Sequence, residues 1–245
     1  LELAQKEGYA EPDPTFDIEG LDAAHKIGIL SSLAFGTSLP PDNFYIEGIS
    51  AIKNIDFKYA KEMGYTIKHL AVSKLNDSKI ELRAHPALIK MDSYLAGLKS
   101  VRNGIEVETD LLGTLHIAGS GAGQESTASG VISDLVHLAN TNNNFLEINA
   151  ANKNELINFS SLSFQYYFYL EVEDIPGVMA TVTSKFSEKN VGIESIVQKD
   201  GDKNNKVPIV LITDLFVEKD HSDLLHTLKE LNSVTEVRSI RIEPR

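Results

Sequence analysis

The 245-residue sequence contains no cysteine at all. Disulfides, thiolate nucleophiles and cysteine-ligated zinc are thereby excluded together, and a reducing, cytoplasmic setting is the natural expectation. Positive charge is also scarce: 23 Lys and Arg stand against 35 Asp and Glu, a net charge of −12. No basic face for a nucleic-acid backbone is visible, so no nucleic-acid partner is expected. Long apolar runs are missing too. None approaches the roughly 20 residues that carry a helix across a bilayer, and no membrane partner is expected. The seven histidines show no HExxH or other paired spacing, so His25 and His85 read as structural. What the chain does have is 42% hydrophobic residues, enough to fill a core.

The chain begins at Leu1 without a charged n-region or an apolar h-region, which argues against a signal peptide. Residues 1–8 instead read as a helix tail closing on Gly8, so the chain is expected to enter in mid-fold. Residues 9–20 form an acidic, proline-broken loop. Leu21 to Phe35 is helical and apolar almost all round, the pattern of a buried helix. Between 44 and 120 short strand and helix signals alternate: a helix at Phe57–Met63, strands at 66–73, 80–85, 105–109 and 114–118, with 44–46 and 49–52 strand-like or connecting. This mixture predicts an α+β, mixed-sheet layer. A glycine turn, Gly119 to Gly123, then leads into a helix over 126–140. The Asn-rich stretch 141–155 marks a boundary, and 142–160 is assigned as a linker between a domain at 1–141 and a domain at 161–245. In the latter the order is βαββαβ: strand 164–173, helix 177–188, strands 192–199 and 207–217 split by a turn at 200–206, helix 221–232 and strand 234–242. That is a ferredoxin-like unit.

Three places carry candidate chemistry. Glu11, Asp13, Asp17, Asp22 and Lys26 gather acids around one lysine. Asp22 and Lys26, four apart, share a helix face. Alone they read as a solvated i,i+4 pair; beside an apolar helix they read as a partly buried pair at which charges are used. Such a cluster suits an amino-acid substrate, binding its ammonium group and supplying a proton donor. As an EF-hand loop beginning at Asp13 it fails at Thr15, Ile18 and Ala24, and a magnesium site has no positive support. The Gly119–Gly123 turn is neither a Walker loop nor a dinucleotide fingerprint, since Gln124 holds the sixth position. It reads equally as a plain βα turn or as an anion-approaching helix start, with Ser126 or Thr127 as cap and Thr127 as ligand donor. Asp174-Ile-Pro-Gly177 reads first as a turn stiffened by Pro176.

The stretch from Gly8 to Lys26, GYAEPDPTFDIEGLDAAHK, closely resembles the signature of homoserine dehydrogenases. Glu47-Gly-Ile49, Gly64-Tyr65 followed by Lys68, His85-Pro86, Gly121-Ala-Gly123 and Thr127-Ala-Ser129 agree with it. The C-terminal unit with its IPGV turn resembles an ACT domain. The sequence departs from the family at Ser126, commonly proline, and over 103–110. The resemblance implies a substrate-binding and dimerisation domain followed by a regulatory one, with a nucleotide-binding domain upstream and the helix after Gly123 returning to it. By position it assigns Lys26 as the acid–base catalyst, and Glu11, Asp22, Asp17 and Tyr9 as substrate-binding residues. Gly8 and Gly123 become contacts to NADP or NAD, held mainly by the upstream domain. The implied reaction interconverts homoserine and aspartate 4-semialdehyde, in threonine, methionine and isoleucine biosynthesis. Threonine is the implied effector, at Asp174, Gly177 and Gln198, and a homodimer is the implied assembly. The competing expectation is a non-catalytic amino-acid sensor built from the same two domains.

Overall fold

The computed structural model describes residues 13–37, 44–140, 154–198 and 205–244. Tyr9, Glu11, Gly8, the helix tail expected over 1–8, most of the Asn-rich stretch and most of the 200–206 turn lie outside them. A short helix α1 (Thr15–Ile18) occupies part of the expected acidic loop. It starts where Asp13 Oδ1 accepts from the Thr15 N–H at 3.1 Å and from its hydroxyl at 2.6 Å, satisfying a helix-start donor. Helix α2 (Leu21–Phe35) has the expected bounds. Gly20 and Gly36 bracket it, both in the left-handed region (φ 81° and 59°), which glycine enters without a Cβ clash.

The expected burial of α2 is corrected by the structure. Only Ala24, Gly28, Ser31 and Ser32 are buried. Small side chains on that face let the helix lie close against β2 (Tyr65–Asn76), where Ser73 donates to Ser31 Oγ at 2.9 Å. Ile29 (53% exposed) and Leu33 (52%) face away from the described residues. The apolar composition therefore reports a surface with more to cover than this sheet alone.

After β1 (Tyr45–Ile46), residues 49–52 are a turn, and α3 (Asn54–Glu62) begins three residues before the expected start. There Asp56 accepts from the Lys53 N–H at 2.9 Å. Strand β3 (Lys79–Lys90) continues through Pro86, where the sequence pattern placed its end. On one side β3 pairs with β2 along its whole length. On the other, β1 reaches residues 83–84 and β11 reaches 87–88. Pro86, which has no N–H to give, falls between those two neighbours. The hairpin β4 (Arg102–Thr109) and β5 (Gly113–Ser120) forms a separate two-stranded sheet and leads to α4 (Gln124–Asn140).

The C-terminal unit runs β7 (Ser163–Glu173), α5 (Val178–Glu188), β8 (Ile193–Gln198), β9 (Lys206–Thr213), β10 (Phe216–Val217), α6 (Glu218–Lys229) and β11 (Val234–Ile242), after a two-residue β6 (Glu155–Leu156). The single strand expected over 207–217 is broken at Asp214 and Leu215, and α6 starts and ends three residues earlier than expected. Antiparallel order β11-β7-β9-β8 is the ferredoxin-like arrangement. Alternation along β7 sorts its two faces. Phe164, Tyr166, Phe168, Leu170 and Val172 pack under α5 and α6, while Tyr167 and Tyr169 turn to the other face, against Tyr59, Ala60, Ile67 and Leu88. That second face is thus covered by α3 and β2–β3. The two regions also share a sheet: β11 pairs in parallel with β3, Arg241 opposite Ala87 and Ile242 opposite Leu88.

Candidate active site on helix α2

Asp22 and Lys26 lie in the first two turns of α2 and meet, Lys26 Nζ to Asp22 Oδ2 at 2.7 Å. Their side chains are 39% and 56% exposed. The expectation of a partly buried pair is therefore corrected: it stands in solvent because the helix buries its small-residue face and presents this one outward. At that exposure the pair contributes little to stability, well under about 1 kcal/mol. The contact draws the lysine head back toward Asp22 in the first turn of α2. Asp17, on α1, is exposed, and its carbonyl accepts from the Gly20 N–H at 3.1 Å. Asp13 is spent on the α1 start, and those Thr15 hydrogen bonds hold its carboxyl below the usual value. His25 is exposed and meets Phe16 edge-on at 5.2 Å.

The start of α2 is seated on the turn after β1. The Ile49 N–H donates to the Ile18 carbonyl at 2.9 Å and Ser50 Oγ to Glu19 Oε1 at 2.9 Å. Gly48 is forced to be glycine by this approach: a Cβ there would stand 2.5 Å from the Ile18 carbonyl oxygen. His69 Nε2 donates to the Glu47 carbonyl at 2.9 Å, and its ring lies where a Cβ on Gly20 would be, at 2.8 Å. Lys68, beside it on β2, gives its ammonium to the Leu98 carbonyl at 2.5 Å.

Gly123 belongs to another element, the β5–α4 turn, at φ 123°. The Ser126 and Thr127 hydroxyls donate to the Gly123 carbonyl, at 2.9 and 3.0 Å. They act inside the helix, which begins at Gln124, and not as the cap the sequence suggested. In the C-terminal unit Gly177 caps α5 in the left-handed region (φ 93°) with open space at its Cβ position. Asp174 is exposed, and its N–H donates to the Asn205 carbonyl at 2.9 Å. Gln198 ends β8, the edge strand, and is exposed. Among the described residues no three His, Asp or Glu side chains converge as metal ligands.

A charged cluster that the sequence did not single out lies where the two regions meet. Arg241, 4% exposed, reaches Glu218 through Nε (2.9 Å) and Nη2 (2.6 Å), Glu47 through Nη1 (2.5 Å) and Tyr45 Oη through Nη2 (2.9 Å). Burial pushes Glu218 up, but the nearby His221 ring, at 3.5 Å, and the hydrogen bonds from Arg241 and Tyr166 win and hold its carboxyl at about 2. Beside it Arg83 forks onto Glu243 and also meets His85 Nε2 at 2.7 Å. His85 Nδ1 faces the Pro86 carbonyl at 2.9 Å. Burial and the two arginines lower the His85 pKa far below the ordinary value; the neutral ring donates from Nδ1 and accepts at Nε2. His85 is thus a satisfied core histidine. A cleft of about 320 Å³ runs over this junction, lined by Tyr45, Glu47, Glu218, His221 and Arg241 and not by Lys26.

Comparison with known proteins finds two families along the chain. A family model described as homoserine dehydrogenase matches residues 1–136, and one described as ACT domain matches residues 166–236. The chain is 39% identical to the homoserine dehydrogenase of Pseudomonas aeruginosa over 260 residues, covering 99% of this chain and 58% of that protein. With the homoserine dehydrogenase of Helicobacter pylori it shares 38% identity over 245 residues, again 58% of that protein. A crystal structure of a homoserine dehydrogenase from Thiobacillus denitrificans superposes with a TM-score of 0.86 at 36% identity, covering 99% of this chain and 57% of that one. The chain thus spans somewhat over half the length of the relatives it matches.

Proposed function

Because the chain belongs to the homoserine dehydrogenase family, we propose that the protein as its gene encodes it interconverts L-homoserine and L-aspartate 4-semialdehyde with NAD or NADP. The observation that carries the assignment to particular residues is the solvent-facing Asp22–Lys26 pair at 2.7 Å, set on the helix that follows the acidic motif. Lys26 is the acid–base group: its ammonium gives a proton to the aldehyde oxygen in the reducing direction and takes it back from the hydroxyl in the other. Asp22 keeps the lysine head oriented and, with Asp17, Glu11 and Tyr9, binds the amino-acid end of the substrate. The nicotinamide nucleotide, when bound, supplies or accepts the hydride. Gly123 fits a contact to it, because its backbone conformation excludes a side chain and leaves the head of α4 open to close approach; Gly8 is the second contact that the family resemblance assigns.

Replacing Lys26 by alanine in the encoded protein is expected to lower kcat for homoserine oxidation by about 10²-fold or more, the usual worth of a general acid–base group. KM is expected to change much less. Steady-state kinetics decide it, and a kcat near wild type removes Lys26 from this role.

The C-terminal unit is the regulatory half of the proposal. Edge strand β8 offers unpaired backbone groups for pairing with a second copy, and Gly177 leaves the α5 N-terminus accessible to a carboxylate. Threonine, an end product of the reaction's pathway, is the proposed effector, with Asp174 or Gln198 taking its ammonium or hydroxyl group.

A further inference from the structure

We propose that Glu47 and Arg241 are positioning residues for Lys26: the C-terminal domain reaches across the junction and holds the turn on which the catalytic helix is seated. The proposal rests on the assignment of Lys26 made above.

The connection is short and continuous. Arg241 is fixed on its own side by two hydrogen bonds from one guanidinium to Glu218. Across the junction it reaches Tyr45 Oη and Glu47 Oε2, and Glu47 Oε2 also accepts from Tyr45 Oη at 2.5 Å. The Glu47 backbone is tied in turn. Its N–H donates to the Ala84 carbonyl at 2.8 Å, its carbonyl accepts from His69, and the next two residues press on Ile18 and Glu19. Gly20 follows, and its carbonyl takes the Ala24 N–H at 3.0 Å, the first turn of α2. From Arg241 to the turn carrying Asp22 every step is a hydrogen bond or a close packing contact that leaves no room for a Cβ. Glu47 itself is about one-third exposed, and its carboxylate touches neither Lys26 nor Asp22 among the described contacts, so its effect on chemistry passes through the backbone. Misplacing a reacting group by about 1 Å can cost 10²-fold in rate, and a partial loosening of this seat is expected to cost less.

The test uses the encoded protein with three variants. Glu47→Ala is expected to lower kcat for homoserine about tenfold while KM moves less than about threefold. Glu47→Gln, which keeps an acceptor for Arg241, restores kcat to within about threefold of wild type. Val182→Ala loosens the C-terminal core without touching this chain of contacts, lowers Tm, and leaves kcat within about twofold. Hydrogen exchange gives a readout independent of the enzyme assay: amides 18–26 are expected to exchange faster in Glu47→Ala than in wild type, and unchanged in Val182→Ala. Unaltered exchange over 18–26 in Glu47→Ala overturns the mechanical link. Faster exchange with undiminished kcat overturns the positioning role, as does an equal kcat loss in Val182→Ala. If wild type itself fails to oxidise homoserine, the functional reading and the positioning role fall together, while the exchange data still decide the link.

Discussion

Asp56 is expected to be among the costliest single positions in the chain. It is fully buried. Its carboxylate accepts two hydrogen bonds from Arg238, Nε and Nη2 each at 3.0 Å, and one from the Lys53 N–H that starts α3. Tyr167 Oη adds a longer contact at 3.3 Å. Asp56→Ala removes a helix cap worth about 1 kcal/mol and leaves the Arg238 guanidinium, whose side chain is 10% exposed, short of its bidentate partner. Breaking a buried pair from one side costs roughly 3–5 kcal/mol. Arg238 keeps Glu236 and lies over the Tyr169 ring at 4.2 Å, which argues for the low end, so with the cap a total of about 4 kcal/mol is expected. Asp56→Asn keeps the shape and one acceptor, and about half of that loss is expected. In the double variant Asp56→Ala with Arg238→Met the orphaned charge is gone, and the combined loss is expected to fall at least about 1 kcal/mol short of the sum of the two single losses. Urea unfolding of the 245-residue chain, read as a shift of midpoint at constant slope, gives all four values. An Asp56→Ala loss under about 1 kcal/mol, or strict additivity in the double variant, refutes the reasoning.

Acid should unpick the junction. Glu218 is held at about 2 against an ordinary 4.5, so its contribution, of order 3 kcal/mol, is complete above pH 4.5 and is lost as pH falls from there toward 2. The stability difference between wild type and Glu218→Gln, measured by urea at pH 6 and pH 3, is expected to shrink at the lower pH, and a constant difference would count against it. The 245-residue chain by itself, which contains no G-x-G-x-x-G strand–turn–helix, is expected to show no dehydrogenase activity and no NADPH binding in calorimetry; micromolar affinity would make the Gly119–Gly123 turn a nucleotide site in its own right. Threonine at millimolar concentration is expected to raise the chain's Tm in a dose-dependent way, with isoleucine and methionine as controls. An unchanged melt, together with a threonine response that survives Asp174→Ala with Gln198→Ala in the encoded protein, removes that effector site.

The elements that local pattern can announce were legible. The bounds of α2 follow from an apolar periodic run between two glycines, both of which adopt the left-handed conformation that ends helices. The βαββαβ order follows from alternating strands and amphipathic helices, and strand β11 has the expected limits. Elements fixed by tertiary context were not. Pro86 stops a strand in any local reading, yet it is accommodated because β1 and β11 approach β3 on either side of it. Nothing in residues 234–242 announces that their last two residues pair with a strand some 150 positions earlier. Helix α2, apolar almost all round, has the pattern of a buried helix, whereas its buried face is made only of Ala, Gly and Ser, residues that a hydrophobicity pattern underweights.

The same contrast separates the two halves of the site. Asp22 and Lys26 are four apart in sequence, so helical spacing alone predicts that they meet, as they do. Glu47 and Arg241 are 194 residues apart, and each looks like an ordinary charged residue within a strand-rich stretch. One signal was present: Glu47 opens the Glu-Gly-Ile segment, whose glycine is now explained by the Ile18 carbonyl against which it packs. Arg241, between Ile240 and Ile242 at the end of β11, is a second, since a charge buried in a strand requires a partner. Neither signal names the partner. Pairing them requires knowing that β11 lies beside β3 and that β1 lies on the same side of it. The candidate acid–base pair is therefore read from a local motif, while the support proposed for it is read only from the way β11 and β3 share a sheet.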